Sequence, residues 1–185
     1  PGALLRLAPF LWRYWVHSAP ARHAAIARDY AKLIEHCLAE HGRLVAEAGA
    51  EHLVRRRGWM RVFRTAREMD QRLAEAARWR SEFGVNFAAL TQSGLREKEP
   101  HLSPALVGAL HWTDPWSVLD PHGLTSAYLR LFEAKGGRFL QGDADTLSQE
   151  GGGWSVRTAQ GTLRSDCAVL ALGPWAEPAT RRLGY

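Results

Sequence analysis

Apolar positions follow a helical period over the first third of the chain and shorter, strand-like runs later. The string ALLRLAPFLWRYWV from Ala3 to Val16 is apolar almost all round and is interrupted by Pro9. It predicts a helix that kinks or restarts at the proline, because proline removes one backbone donor and crowds the preceding turn. Burial is its expected fate. Its mixture of Trp12, Trp15, Arg6 and Arg13 also matches helices that lie in a membrane interface. From Arg22 to about Ala48, Ile26, Tyr30, Leu33, Ile34, Cys37, Leu38 and Leu44 fall on one helical stripe. Arg28, Asp29, Lys32, Glu35 and Glu40 occupy the other side, so one long amphipathic helix is predicted.

Gly58 to Phe63, GWMRVF, is short and rich in strand formers, and Thr65 is placed to cap a helix from Ala66 to about Phe83. A short strand, VNFAAL, follows Gly84. Ser93 opens a one-turn helix that ends before Pro100. Leu106 to Trp112 reads as a strand, and TDPWSVLDP then brings two Asp-Pro turn signals. Asp120 and Pro121 open a helix running to about Lys135, with aspartate as cap and proline in the first turn. After Gly136 and Gly137 come strand-like pieces at about Arg138 to Gln141, Ala144 to Gln149, Trp154 to Thr158 and Leu163 to Leu172. Turns at Gly151 to Gly153 and at Gln160 with Gly161 make the later pieces a small meander. The shift from helix-rich to strand-rich near Pro121 predicts a domain boundary there: residues 1–120 and 121–185.

Composition narrows the function classes. Apolar residues are 46% and charged residues 23% of the 185, which describes a folded chain rather than a disordered one. The net charge of +5 leaves room for an anionic partner, but the arginines are spread over helical stretches and lack interleaved stacking aromatics. Solvated helix faces are the simpler reading, and no nucleic-acid partner is expected. Cys37 and Cys167 are the only cysteines, and His36 and His41 are five apart rather than four. Neither a disulfide framework nor a metal site is expected, and a reducing compartment fits. No secretory leader and no apolar run of about 18 residues is seen, so a chain that does not cross a membrane is expected. Pro1 is not an initiator methionine, and the natural start is expected upstream.

Five pieces in order carry a resemblance: RGWMRVFRT at Arg57 to Thr65; Glu99 and Pro100 followed by Leu102; GAL at Gly108 to Leu110; LDPHGL at Leu119 to Leu124; and CAVLALGPWA at Cys167 to Ala176. Together they resemble the central part of the FAD-dependent D-amino-acid oxidase and dehydrogenase superfamily, bacterial D-amino-acid dehydrogenases above all. The fold implied is α+β (α/β): a substrate domain (1–120) with a mostly antiparallel or mixed sheet flanked by helices, then the returning part of a discontinuous FAD-binding domain (121–185). Two parts of the family pattern are not in this sequence. No G-x-G-x-x-G occurs, so no glycine turn brings backbone to a pyrophosphate. The C-terminal section that usually holds an arginine for the substrate carboxylate is also absent. The segment is therefore expected to be inert alone and not to retain FAD.

The resemblance places Ala144 at the backbone contact to the adenosine end of FAD. It places Ala171, Leu172, Gly173 and Trp175 at the small-residue turn beside the cofactor, where Pro174 departs from the pattern and lacks a donor. An ordinary strand-to-helix turn explains Gly173 equally simply. Pocket residues are expected on the strand before the LDP helix, here His111, Trp112, Asp114 and Trp116. The plain readings are that the tryptophans are core, His111 is a satisfied surface group and Asp114 a turn former. The catalytic residues are left unassigned. The implied substrate is a D-amino acid or small amine, with a quinone or other electron acceptor, in a cytoplasmic protein peripheral to the inner membrane. Glycine or sarcosine oxidase and the flavin domain of a tRNA-modifying enzyme remain as alternatives, as does a non-enzymatic, helix-rich membrane-surface or binding module.

Overall fold

The chain opens with three helices where the pattern predicts two. The structure, a computed structural model, describes residues 2–185. Helix α1 (Gly2–His17) runs through Pro9 without a break. Helix α2 (Pro20–Ile34) and helix α3 (Cys37–Glu47) are separated by a turn at Glu35 and His36. The expected burial does not follow. Leu5, Phe10, Trp12, Tyr14 and Trp15 of α1 are exposed, as are Ile26, Tyr30, Leu33, Ile34 and Leu38 of the next two helices. In α2 the half-buried positions are Ala24, Ala27 and Ala31. Small side chains allow the close approach, and the large apolar ones point away. Burial is reached only in α3, at Val45.

A three-stranded antiparallel sheet organises the residues that follow. After strand β1 (Val54–Arg55) come β2 (Trp59–Phe63), helix α4 (Ala66–Phe83), β3 (Phe87–Thr91), helix α5 (Gln92–Lys98) and β4 (Gly108–Trp112), paired in the order β2-β4-β3. The two-residue strand β5 (Ser117–Val118) returns to pair with β1. Thr65 caps α4 as its position predicts, its hydroxyl accepting from the Glu68 amide at 3.3 Å. Helix α5 is capped two residues earlier than expected, by Thr91, which accepts from Gly94 N–H at 3.2 Å, so Ser93 lies inside the helix.

Strand alternation gives this sheet two different faces. On one, Phe63, Leu110 and Trp112 pack with Ala76 of α4, joined by Met69, Leu73, Val85 and Phe87. On the other, Ala109 packs with Leu95 of α5 and Leu106, joined by Met60 and Leu90. Both cores lie in the first of two compact units, which ends at Tyr128.

Helix α6 (Pro121–Ala134) starts as the sequence indicates, with the Asp120 carboxylate accepting from Gly123 N–H at 2.9 Å. The second compact unit, Leu129–Tyr185, contains the meander β6 (Ser148–Glu150), β7 (Gly153–Thr158) and β8 (Gly161–Ser165), all antiparallel, and helix α7 (Ala176–Arg182). Two expected strands are missing. Arg138 to Gln141 forms no ladder, and the run from Cys167 to Leu172 is unpaired beyond the end of β8. A strand needs a neighbour for its amides and carbonyls. Among the described residues Cys167 to Leu172 has no such neighbour, and Arg138 to Gln141 meets one only at its end, where the Gln141 carbonyl accepts from Ala159 N–H at 2.9 Å and Gly142 bridges Thr158. The start of the expected Ala144 to Gln149 strand is instead a single 3-10 turn, Ala144–Thr146, because the Asp143 carboxylate accepts from Asp145 N–H at 2.9 Å.

Candidate functional site

The four residues expected around a pocket sit on β4 and on the connection to β5, but they do not share a surface. His111 and Trp112 are consecutive in a strand and so point to opposite faces. Trp112, 8% exposed, belongs to the α4 core: its ring lies 5.7 Å from Trp79, stacked, and 5.7 Å from Phe87, edge-on. It is not free to line an open cavity.

His111 is half-buried on the other face, between its cross-strand partners Met60 and Ala88. Its Nε2 lies 2.8 Å from the Arg57 carbonyl oxygen. A carbonyl only accepts, so Nε2 carries the proton and donates. The turn that brings Arg57 there depends on Gly58, which has φ +65°. A Cβ at Gly58 would run into the Trp112 carbonyl oxygen and stand 3.0 Å from His111 Nε2. Gly58 N–H also donates to the Pro115 carbonyl at 3.0 Å. The turn before β2 and the segment after β4 are thereby tied together around His111.

Asp114 and Trp116 hold that second segment. The Asp114 carboxylate accepts from the Asn86 amide at 2.8 Å and from its side-chain Nδ2 at 3.1 Å. Trp116 is covered by the Arg56 guanidinium, 4.1 Å from the ring centroid. Nearby in sequence, Tyr128 Oη and His41 Nδ1 are 3.0 Å apart with their rings stacked, and burial pushes the Tyr128 phenol above its ordinary value. Gly58, Asn86 and Arg56 are the participants that sequence reasoning missed. Gly58 is the centre of the RGW sequence and Arg56 precedes it, a composition that signals a turn; nothing marks Asn86 as the partner of a residue 28 positions on.

In the second unit, the cofactor candidates fall outside the strands, Ala144 and Gly173 to Trp175 in short 3-10 turns. Ala144 offers its carbonyl to Arg182 Nη2 at 3.0 Å, and the same guanidinium pairs with Asp145 at 2.9 Å. Ala171 and Leu172 end the unladdered run, and Gly173 turns at φ +56° with open space where a side chain would stand. Trp175 is 74% exposed. This turn is closed by its own backbone, Trp175 N–H donating to the Leu172 carbonyl at 3.2 Å and Ala176 N–H to that of Gly173. It is not a phosphate cradle, which takes converging amides at a glycine-rich helix start. Among the described residues no three His, Cys, Asp or Glu side chains are grouped so as to hold a metal ion.

Comparison with known proteins settles the family. The model of the DAO family, FAD dependent oxidoreductase, matches residues 10–184. The chain belongs to this family. It is 27% identical over its whole length to a D-amino-acid oxidase of Bradyrhizobium diazoefficiens, of which it covers 43%. To a D-amino acid dehydrogenase of Phenylobacterium zucineum it is 34% identical over 160 residues, 80% of this chain and 36% of that protein. Among solved structures, a glycine oxidase from Geobacillus kaustophilus superposes with a TM-score of 0.64 at 24% identity, over 90% of this chain and 44% of the other. The chain thus spans less than half the length of these relatives, and the mixed helix and antiparallel-sheet fold expected from the sequence is shared with the matched part of that glycine oxidase. FAD is the family's cofactor.

Proposed function

We propose that this chain is the substrate domain and the returning flavin-domain section of an oxidoreductase that oxidises D-amino acids. The observation that carries the reading is the family match over residues 10–184 together with the 34% identity to a D-amino acid dehydrogenase. Residues 1–120 form the substrate domain and residues 121–185 the returning section, and the two unpaired runs around Arg138 and Val169 are strands awaiting the flavin domain's sheet. Bound FAD would supply the acceptor for a hydride equivalent from the substrate's α carbon. The substrate is left as an imine, which water converts to the keto acid and ammonia.

The chain's own residues position and enclose. His111 is the pocket residue, on the less covered sheet face, with its tautomer fixed by Arg57. Trp112 backs it from the core, while Asp114 and Trp116 hold the loop that frames it. Ala144, Ala171, Leu172, Gly173 and Trp175 form the cofactor edge through backbone and small side chains. A quinone or another electron acceptor receives the electrons, in a cytoplasmic protein peripheral to the inner membrane.

The test is to express the longer protein that contains this segment. It should purify with the flavin's visible absorbance and bleach on anaerobic addition of a D-amino acid, while residues 1–185 alone stay colourless and inactive. Oxygen consumption with peroxide release would make it an oxidase instead. A longer protein that neither carries FAD nor can be reconstituted with it rejects the proposal.

A further inference from the structure

Most of the chain's net positive charge is concentrated in its first 28 residues. Residues 1–28 contain Arg6, Arg13, Arg22 and Arg28 and no carboxylate, whereas the rest balances 20 lysines and arginines against 19 acidic residues. Arg28 is matched by Glu82 at 3.6 Å. Arg6, Arg13 and Arg22 have no ion pair among the described residues.

The same stretch holds a dense run of exposed large apolar side chains. Trp12 and Trp15 are 63% and 67% exposed, with ring centroids 5.1 Å apart, and Leu5, Leu7, Phe10, Leu11 and Tyr14 are all more than half exposed. The charges are not scattered through this surface. At 100° per residue, Arg6, Arg13 and His17 fall within about 40° of arc with Phe10 at its edge, and Leu7, Leu11, Trp12 and Trp15 spread over the opposite side. A narrow cationic stripe beside a broad aromatic face is the geometry of a helix lying in a lipid interface, with its apolar side sunk roughly 5–10 Å. No described helix is long and apolar enough to cross a membrane, so lying along the surface is the mode open to α1.

We propose that α1, with Arg22 and His23 at the start of α2, docks on an anionic phospholipid surface. This deepens the peripheral localisation proposed above and does not depend on the substrate. An anionic surface supplies the counter-charge that Arg6, Arg13 and Arg22 lack within the chain, and each such arginine strengthens binding roughly five-fold. Tryptophan rings at headgroup depth set the position of the helix.

The test is flotation of the full-length protein with vesicles of phosphatidylcholine containing about a third phosphatidylglycerol. Binding is expected at low salt and should fall steeply by roughly 0.5 M salt. It should be weak on phosphatidylcholine alone. R6Q/R13Q/R22Q should lower partitioning about a hundred-fold, and W12S/W15S should abolish it. Because these side chains are exposed, the far-UV spectrum and flavin content should match the parent's, and that comparison separates lost docking from misfolding. Absence of wild-type binding at low salt overturns the proposal, as does binding that both variants retain. A concentration-dependent dimer that W12S/W15S dissolves, without vesicle binding, also overturns it, by assigning the face to a second copy. Whether D-amino acids are oxidised is read in a separate assay, so failure of the enzymatic reading leaves this result standing.

Discussion

Replacing Trp112 by alanine separates a core residue from a pocket wall. The indole is 8% exposed and packs within 5.7 Å of both Trp79 and Phe87 and 6.4 Å of Trp59, centroid to centroid. Truncating a buried tryptophan costs about 3–5 kcal/mol through lost transfer energy and the cavity left behind. An independent route agrees: a Trp side chain buries roughly 150–250 Å², which at about 25 cal/mol per Å² is some 4–6 kcal/mol before the retained Cβ is subtracted. W112F keeps a ring in the stack and should cost only about 1–2 kcal/mol. Urea unfolding followed by far-UV circular dichroism is the assay. With a slope near 2 kcal/mol per M, W112A should lower the midpoint by about 2 M and W112F by less than about 1 M. A W112A shift below about 0.5 M, accompanied by a raised KM for the amino acid in the longer enzyme, would falsify the core assignment and return Trp112 to the pocket.

Two further outcomes follow from the same contacts. Asp114→Ala removes the acceptor of the Asn86 amide and side chain, so stability should drop by about 1–3 kcal/mol. The pH profile of substrate oxidation should keep its shape; a lost ionisation would mean that Asp114 takes part in proton transfer. Because burial raises the Tyr128 phenol, the folded state favours its protonated form. The stabilising contribution is complete below the unfolded value near 10 and is lost as pH rises from there through the folded value. Ultraviolet titration should therefore show one phenol ionising later than the rest, and Tyr128→Phe should remove that step; four coincident ionisations would contradict the buried environment.

Sequence alone determined those elements whose stabilising partners are local. Helix α4 begins at Thr65 because a threonine hydroxyl reaches the amide three residues on, and α6 begins at Pro121 because Asp120 does the same. The meander was legible because glycine turns separate strands that pair with their immediate neighbours. The five family motifs were legible for a related reason, since type and order survive without knowledge of contacts.

Tertiary structure decided what depends on distant partners. The run from Cys167 to Leu172 has strand composition yet no ladder, since composition cannot supply a neighbouring strand. The apolar stripe of α2 predicts a buried face, but Ala24, Ala27 and Ala31 are the half-buried positions; periodicity identifies an apolar side without saying what covers it. The candidate pocket divides in the same way. His111, Trp112, Asp114 and Trp116 are neighbours in sequence, and the pleat of β4 separates the first two onto opposite faces, because adjacent side chains in a strand alternate.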